Sequence, residues 1–65
     1  MSFAIDMRFL LEGGPHQTDF GTKLLVLILK ADSHNLELLR QGFPNAVAAV
    51  EHYQATGEFL ELEYD

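Results

Sequence analysis

Large apolar residues occupy every second position from residue 3 to residue 11. A period of two is typical of a strand with one buried face, so the pattern predicts a strand over about 3–11. A short helix is the alternative, because Ser2 can cap a helix and Gly13 can end one. The strict alternation favours the strand. Residues 58–64 alternate in the same way and predict a second strand, and the two strands are each other's partner candidates within the chain.

Between these ends, apolar positions recur at helical spacing and predict three helices, at about 19–31, 33–41 and 44–56. The first of them carries apolar residues on all its sides, so we expect it to be buried nearly all round. A buried strand over residues 23–30 is the alternative, because a short apolar run rich in branched side chains fits both structures.

The boundaries of the last two helices rest on residues with a defined conformational role. Asp32 or Ser33 can accept hydrogen bonds from the free N–H groups that start the second helix. Gly42 is the expected left-handed residue after its end, and Pro44 suits the first turn of the third helix. Gly57 is expected to end that helix. A helical hairpin with a very short connection follows from these signals.

The patterns together predict an α+β fold, mostly helical, with an all-α fold as the alternative. We expect a single small domain over residues 1–65, close to the lower size limit for a core that folds unaided. The chain has no cysteine, so disulfides cannot add stability, and 48% of its residues are hydrophobic. These features predict a homo-oligomer, a dimer or larger, that covers the remaining apolar surface.

Charge and hydropathy limit the classes of partner. The net charge is −6 and there are four basic residues, which argues against direct binding of duplex nucleic acid. The longest apolar run, residues 24–29, is far shorter than a membrane span, so no membrane association is expected. Asp6 and Arg8 interrupt the first apolar stretch, which disfavours a signal peptide, and the lack of cysteine agrees with a cytoplasmic location.

Catalytic motifs are not evident in the sequence. The glycine pair at 13–14 lacks the lysine and hydroxyl residue of a phosphate-binding loop, and neither serine stands in a nucleophile motif. The histidines, His16, His34 and His52, are too far apart to share a helical turn. We therefore predict that the chain is not an enzyme and holds no cofactor and no metal.

A polar set around the hairpin is the candidate ligand site, and it consists of Lys23, Lys30, Asn35 and Arg40. Cations beside free helix N–H groups could bind a small anionic molecule. The competing interpretation is purely structural. In that case Lys30 complements the dipole of its own helix, and Asn35 ties the turn by hydrogen bonds to the backbone.

Residues 24–47 carry a further pattern, in which a Lys-Ala-Asp-x-x-Asn segment leads to a Leu-x-x-Gly-Phe-Pro-x-x-Val segment. The matching residues are Lys30, Ala31, Asp32, Asn35, Leu39, Gly42, Phe43, Pro44 and Val47. In this block the chain resembles small uncharacterised proteins of tailed phages and prophages. The resemblance implies a phage accessory protein that acts in the host cytoplasm as an oligomeric interaction or inhibitor protein binding a host protein. The alternative is an oligomeric sponge that sequesters a nucleotide-type small-molecule signal, and a small enzyme is the third interpretation.

Overall fold

The computed structural model describes residues 3–13 and 20–65, and the regular elements in these ranges are four helices. They are α1 (Phe3–Glu12), α2 (Phe20–Lys30), α3 (Ser33–Gly42) and α4 (Pro44–Thr56). Over the described ranges there is no strand, and Glu63 is an isolated bridge residue in the segment that follows α4. The predicted α+β class is therefore wrong, and the all-α alternative describes the fold.

The strand predicted near the amino-terminal end is wrong, and α1 takes its place. Phe3 and Met7 lie on one side of the chain in a strand and also in a helix, so the alternation does not separate the two structures. In the helix both are buried, and Leu10, one turn further on, packs against the same core. Gly13 then ends α1 with φ 90°, and its N–H donates to the Phe9 carbonyl at 2.9 Å. The glycine that ends the helix was therefore a better guide to the structure of this segment than the alternation of apolar residues. Ser2, the proposed cap of the helix, lies outside the described residues.

The strand predicted at 58–64 is also wrong. Residues 57–65, which we call the C-terminal segment, run back across α1 and α4 and form no ladder with the described residues. The Phe3 N–H donates to the Leu62 carbonyl at 3.0 Å, and the ring of Phe59 stacks on Tyr53 with 5.5 Å between centroids. The two ends of the chain do meet, but through side chains and a backbone hydrogen bond between a helix start and an extended segment.

The three helices predicted in the rest of the chain are confirmed, with bounds that agree within one residue of the predicted ends over the described part. Asp32 caps α3, since its Oδ1 accepts from the Asn35 N–H at 2.8 Å. Pro44 stands at the start of α4, and Gly57 ends it with φ 76°. Short acceptors and glycine therefore act here as the sequence predicted.

The role predicted for Gly42 is wrong. Gly42 is the last residue of α3 and does not adopt a positive φ. Phe43 closes the helix instead, by donating its N–H to the Leu39 carbonyl at 2.7 Å. Because Pro44 begins the next helix directly after it, the chain has no room for a left-handed turn between α3 and α4.

The core lies between α1, α2 and α4, and α3 covers one side of α4. Its buried apolar residues are Phe3, Ala4, Met7, Leu24, Leu25, Ile28, Ala46, Val47, Ala49 and Val50. The expectation that the first long helix is buried nearly all round is wrong, because Phe20 and Leu27 of α2 are largely exposed. α3 packs on α4 rather than along α2, so one face of α2 is not covered by any of the four described helices. None of the helices in the described ranges has the length and apolar character to cross a membrane.

Candidate functional site

A groove of about 410 Å³ opens between the end of α2 and the beginning of α3. Its lining residues are Leu27, Lys30, Ala31, Asp32, Asn35, Leu38 and Leu39. The local sequence explains the shape, because α2 ends at Lys30 and Asp32 already caps α3, so two helices diverge from a two-residue connection. We call this feature the α2–α3 groove.

Two leucines form the exposed walls of the α2–α3 groove. Leu27 on α2 is 54% exposed and Leu38 on α3 is 53% exposed. Leu39 lies deeper and packs against the core. Single exposed leucines are ordinary on protein surfaces, but these two line one groove from different helices and so form a shared apolar surface.

The polar part of the groove is largely engaged in capping α3. Asp32 accepts from the Asn35 backbone N–H at 2.8 Å and from its side-chain nitrogen at 3.3 Å. Lys30, which is exposed, lines the same groove. An anion bound here would therefore meet the Asp32 carboxylate as well as the Lys30 ammonium group.

Arg40 lies outside the groove and is committed to two carboxylates. Its Nη1 and Nη2 donate to the two oxygens of Glu51 at 2.6 and 2.8 Å, and its Nε donates to Glu37 at 3.2 Å. The hydrogen bond to Glu51 raises the pKa of Arg40 above its ordinary value, and the same contact lowers the pKa of Glu51. Arg40 and Glu37 stand one turn apart on α3, so this second ion pair lies within the helix. A guanidinium held in this fork bridges α3 to α4.

Lys23 stands on α2, seven residues before Lys30. Two helical turns separate the two lysines, so both lie on the same side of α2 as Leu27 between them. Lys23 is exposed and is not among the residues lining the groove. Neither lysine forms an ion pair with residues 3–13 or 20–65. The structure therefore brings Lys30 and Asn35 of the candidate ligand set together and leaves Lys23 and Arg40 apart from them.

In the described part of the chain, no three His, Cys, Asp or Glu side chains lie close enough together to bind a metal ion. His34 is exposed at the start of α3, and His52 is half-buried on α4. His16 lies outside the described residues.

A second polar site, not predicted from the sequence, lies where α1 meets the start of α2 and the C-terminal segment. The carboxylate of Asp6 is fully buried, and its Oδ2 accepts a hydrogen bond from the Tyr64 hydroxyl at 2.7 Å. Its Oδ1 has no partner among the described residues. A Cβ at Gly21 would overlap with Oδ2, so the backbone of α2 covers this carboxylate closely. The ring of Phe3 meets Tyr64 edge to face at 4.9 Å. This enclosure joins α1, α2 and the C-terminal segment.

Residues missed by the sequence analysis are the two leucines of the groove. Leu38 is an apolar residue that lies away from the face of α3 formed by Leu36 and Leu39. This position could have identified it as exposed from the sequence. The exposure of Leu27 had no comparable signal, because it depends on where α3 packs.

Comparisons of the chain with protein-family models, with curated proteins and with solved structures found no match.

Proposed function

We propose that this chain is a non-catalytic interaction protein that binds another protein through the α2–α3 groove. The observation that carries the proposal is the joint exposure of Leu27 and Leu38 on the two walls of that groove. Burying a leucine side chain completely is worth about 1.5–3 kcal/mol, so covering two that are half exposed offers about 2 kcal/mol from these residues alone. A partner that inserts an apolar side chain between the two leucines gains this energy.

The charges of the groove support a protein partner over a small anion. A nucleotide-type ligand needs several converging cations, and Lys30 is the one cation among the described residues that line the groove. Arg40 is held by Glu51 through two hydrogen bonds. The sponge interpretation stays a prediction, with less support from the arrangement of these side chains.

The resemblance of residues 24–47 to small phage and prophage proteins supports one kind of partner. We propose a phage-type accessory protein whose partner is a host protein in the host cytoplasm. Self-association through the same groove is the alternative, since a second copy would also cover Leu27 and Leu38.

Capture from a bacterial host lysate tests the proposal, with the immobilised chain compared to groove and control variants. The groove variant is Leu38→Ser, and the control is Leu11→Ser, which changes a residue that is 44% exposed on α1 and does not line the groove. Circular dichroism first checks that both variants remain folded. We expect quantitative mass spectrometry to find a host protein retained by the original chain and by Leu11→Ser, and lost from Leu38→Ser. Equal recovery by all three proteins would refute the assignment of the groove.

A further inference from the structure

We infer that the α2–α3 groove takes an acidic amphipathic helix, with an apolar stripe between Leu27 and Leu38 and carboxylates opposite Lys23 and Lys30. The inference rests on the proposed function and specifies its partner. Apolar anchors in such a helix recur at i, i+3, i+4 and i+7, a spacing that suits a groove bounded by two helices.

Two of the four cations of the chain stand on α2, where Lys30 lines the groove and Lys23 lies two turns before it. α2 contains Lys23 and Lys30 and no acidic residue, although the whole chain has a net charge of −6. The other two cations are engaged elsewhere, since Arg40 binds Glu51 and the Arg8 guanidinium lies 5.4 Å from the centre of the Phe59 ring. At physiological ionic strength, charges more than about 8 Å apart are largely screened, so the lysines of α2 and the neighbouring Asp32 influence docking there more than the distant carboxylates of the chain do.

The spacing between Lys23 and Lys30 equals the spacing between two carboxylates that stand two turns apart on one face of a partner helix. Seven residues of α2 span about 10.5 Å, so the backbones of Lys23 and Lys30 are about two turns apart with Leu27 between them. Carboxylates two turns apart on a partner helix that lies along α2 come opposite both lysines. The Asp32 carboxylate also lines the groove, and the helix N-terminus that it caps, equivalent to about half a positive charge, offsets part of its charge.

Charge also disfavours a second copy as the occupant. A two-fold, antiparallel pairing of α2 with itself, centred on Leu27, places Lys23 of one copy next to the Lys30 turn of the other. Like charges at such close positions oppose association, and two copies of net charge −6 repel each other as well. A partner that supplies carboxylates at these positions converts the repulsion into attraction.

A display library of amphipathic helices tests the inference. Each helix has leucines at i, i+4 and i+7, and two flanking positions, two turns apart, are varied among Glu, Gln and Lys. The library is selected against the original chain, against the Lys23→Glu/Lys30→Glu double variant and against Leu38→Ser. We expect roughly a fivefold preference for Glu over Lys on the original chain, as two exposed ion pairs allow. The preference should reverse on the double variant, and selected helices should lose binding to Leu38→Ser.

The best acidic helix is then synthesised and its Kd is measured by fluorescence polarisation, with binding expected to weaken as salt is raised. Failure to select any helix, or equal enrichment of Glu and Lys, overturns the acidic partner. The proposed function survives that result if lysate capture still depends on Leu38. A dimer in sedimentation velocity that dissociates in Leu38→Ser also overturns the inference, because the occupant is then a second copy.

Discussion

Replacing Tyr64 by phenylalanine removes one hydroxyl group and should destabilise the whole fold. That hydroxyl donates to Asp6 Oδ2 at 2.7 Å, and Asp6 is 0% exposed. Its other oxygen, Oδ1, already has no partner among the described residues. The variant therefore leaves the buried carboxylate without the hydroxyl that binds it.

The magnitude follows from the cost of an unmatched buried acceptor. Leaving a buried acceptor without its partner costs about 1–3 kcal/mol, and we take the middle of this range, about 2 kcal/mol, for the Asp6 acceptor. A chain of this size unfolds with a free energy of roughly 3–10 kcal/mol, so the loss is a large share of the total. The Tm should fall by about 8–16 °C, since each kcal/mol shifts the Tm of a small domain by about 4–8 °C.

Urea and thermal unfolding followed by circular dichroism measure the effect. The matched control is Tyr53→Phe, because the Tyr53 ring stacks on Phe59 and its hydroxyl makes no hydrogen bond within the described residues. We expect the control to change the free energy of unfolding by less than about 0.5 kcal/mol. If Tyr64→Phe is no more destabilised than Tyr53→Phe, the hydroxyl does not stabilise Asp6 and the reasoning is wrong. A double-mutant cycle with Asp6→Asn isolates the coupling between the two side chains.

Three further changes test contacts between elements. Gly21→Ala should lower the Tm, because the new methyl group overlaps with the carboxylate of Asp6, and a Tm equal to the original would contradict the close approach. Asp65→Ala should cost about 1 kcal/mol in urea unfolding and Asp65→Asn an intermediate amount, since the two Asp65 oxygens accept from the first N–H groups of α4 at 2.7 and 3.1 Å and an amide keeps only one acceptor; no loss for Asp65→Ala would argue against a capping role. Arg40 lowers the pKa of Glu51 in the folded state, so this stabilisation is fully present above the unfolded value of 4.5 and is lost as the pH falls through the folded value. Unfolding measured as a function of pH should therefore show a steeper acid loss for the original chain than for Glu51→Gln, and parallel curves would count against the ion pair.

Residues close together in sequence were sufficient to predict where α3 begins and where α4 ends. Asp32 and Gly57 act within one turn of their own positions, so their neighbours in sequence already determine how they end or begin a helix. Gly42 shows the limit of such signals, because Pro44 starts the next helix too soon for the expected left-handed turn. At the amino-terminal end the same apolar residues satisfy a strand and a helix, and the structure becomes helical where Leu10 can join the core.

Contacts between distant residues could not be read from the chain. The N-terminus of α4 has no side-chain cap from its own Phe43, and the carboxylate that serves it comes from Asp65, twenty residues away. Asp6 likewise meets Tyr64 across nearly the whole chain. Such pairings depend on how the elements pack, and no pattern of neighbouring residues encodes them.

Some features of the candidate site were likewise predictable from the sequence, and others depend on how the helices pack. The sequence alone determined that Lys30 and Asn35 flank a short turn, because two helix boundaries stand so close together there. It also determined the acidity of the chain and the scarcity of cations. Only the tertiary structure decided that Leu27 and Leu38 face one groove, since α3 packs on α4 and leaves that side of α2 uncovered. Exposure is a property of packing, and periodicity within one helix shows which residues share a face but not which face remains open.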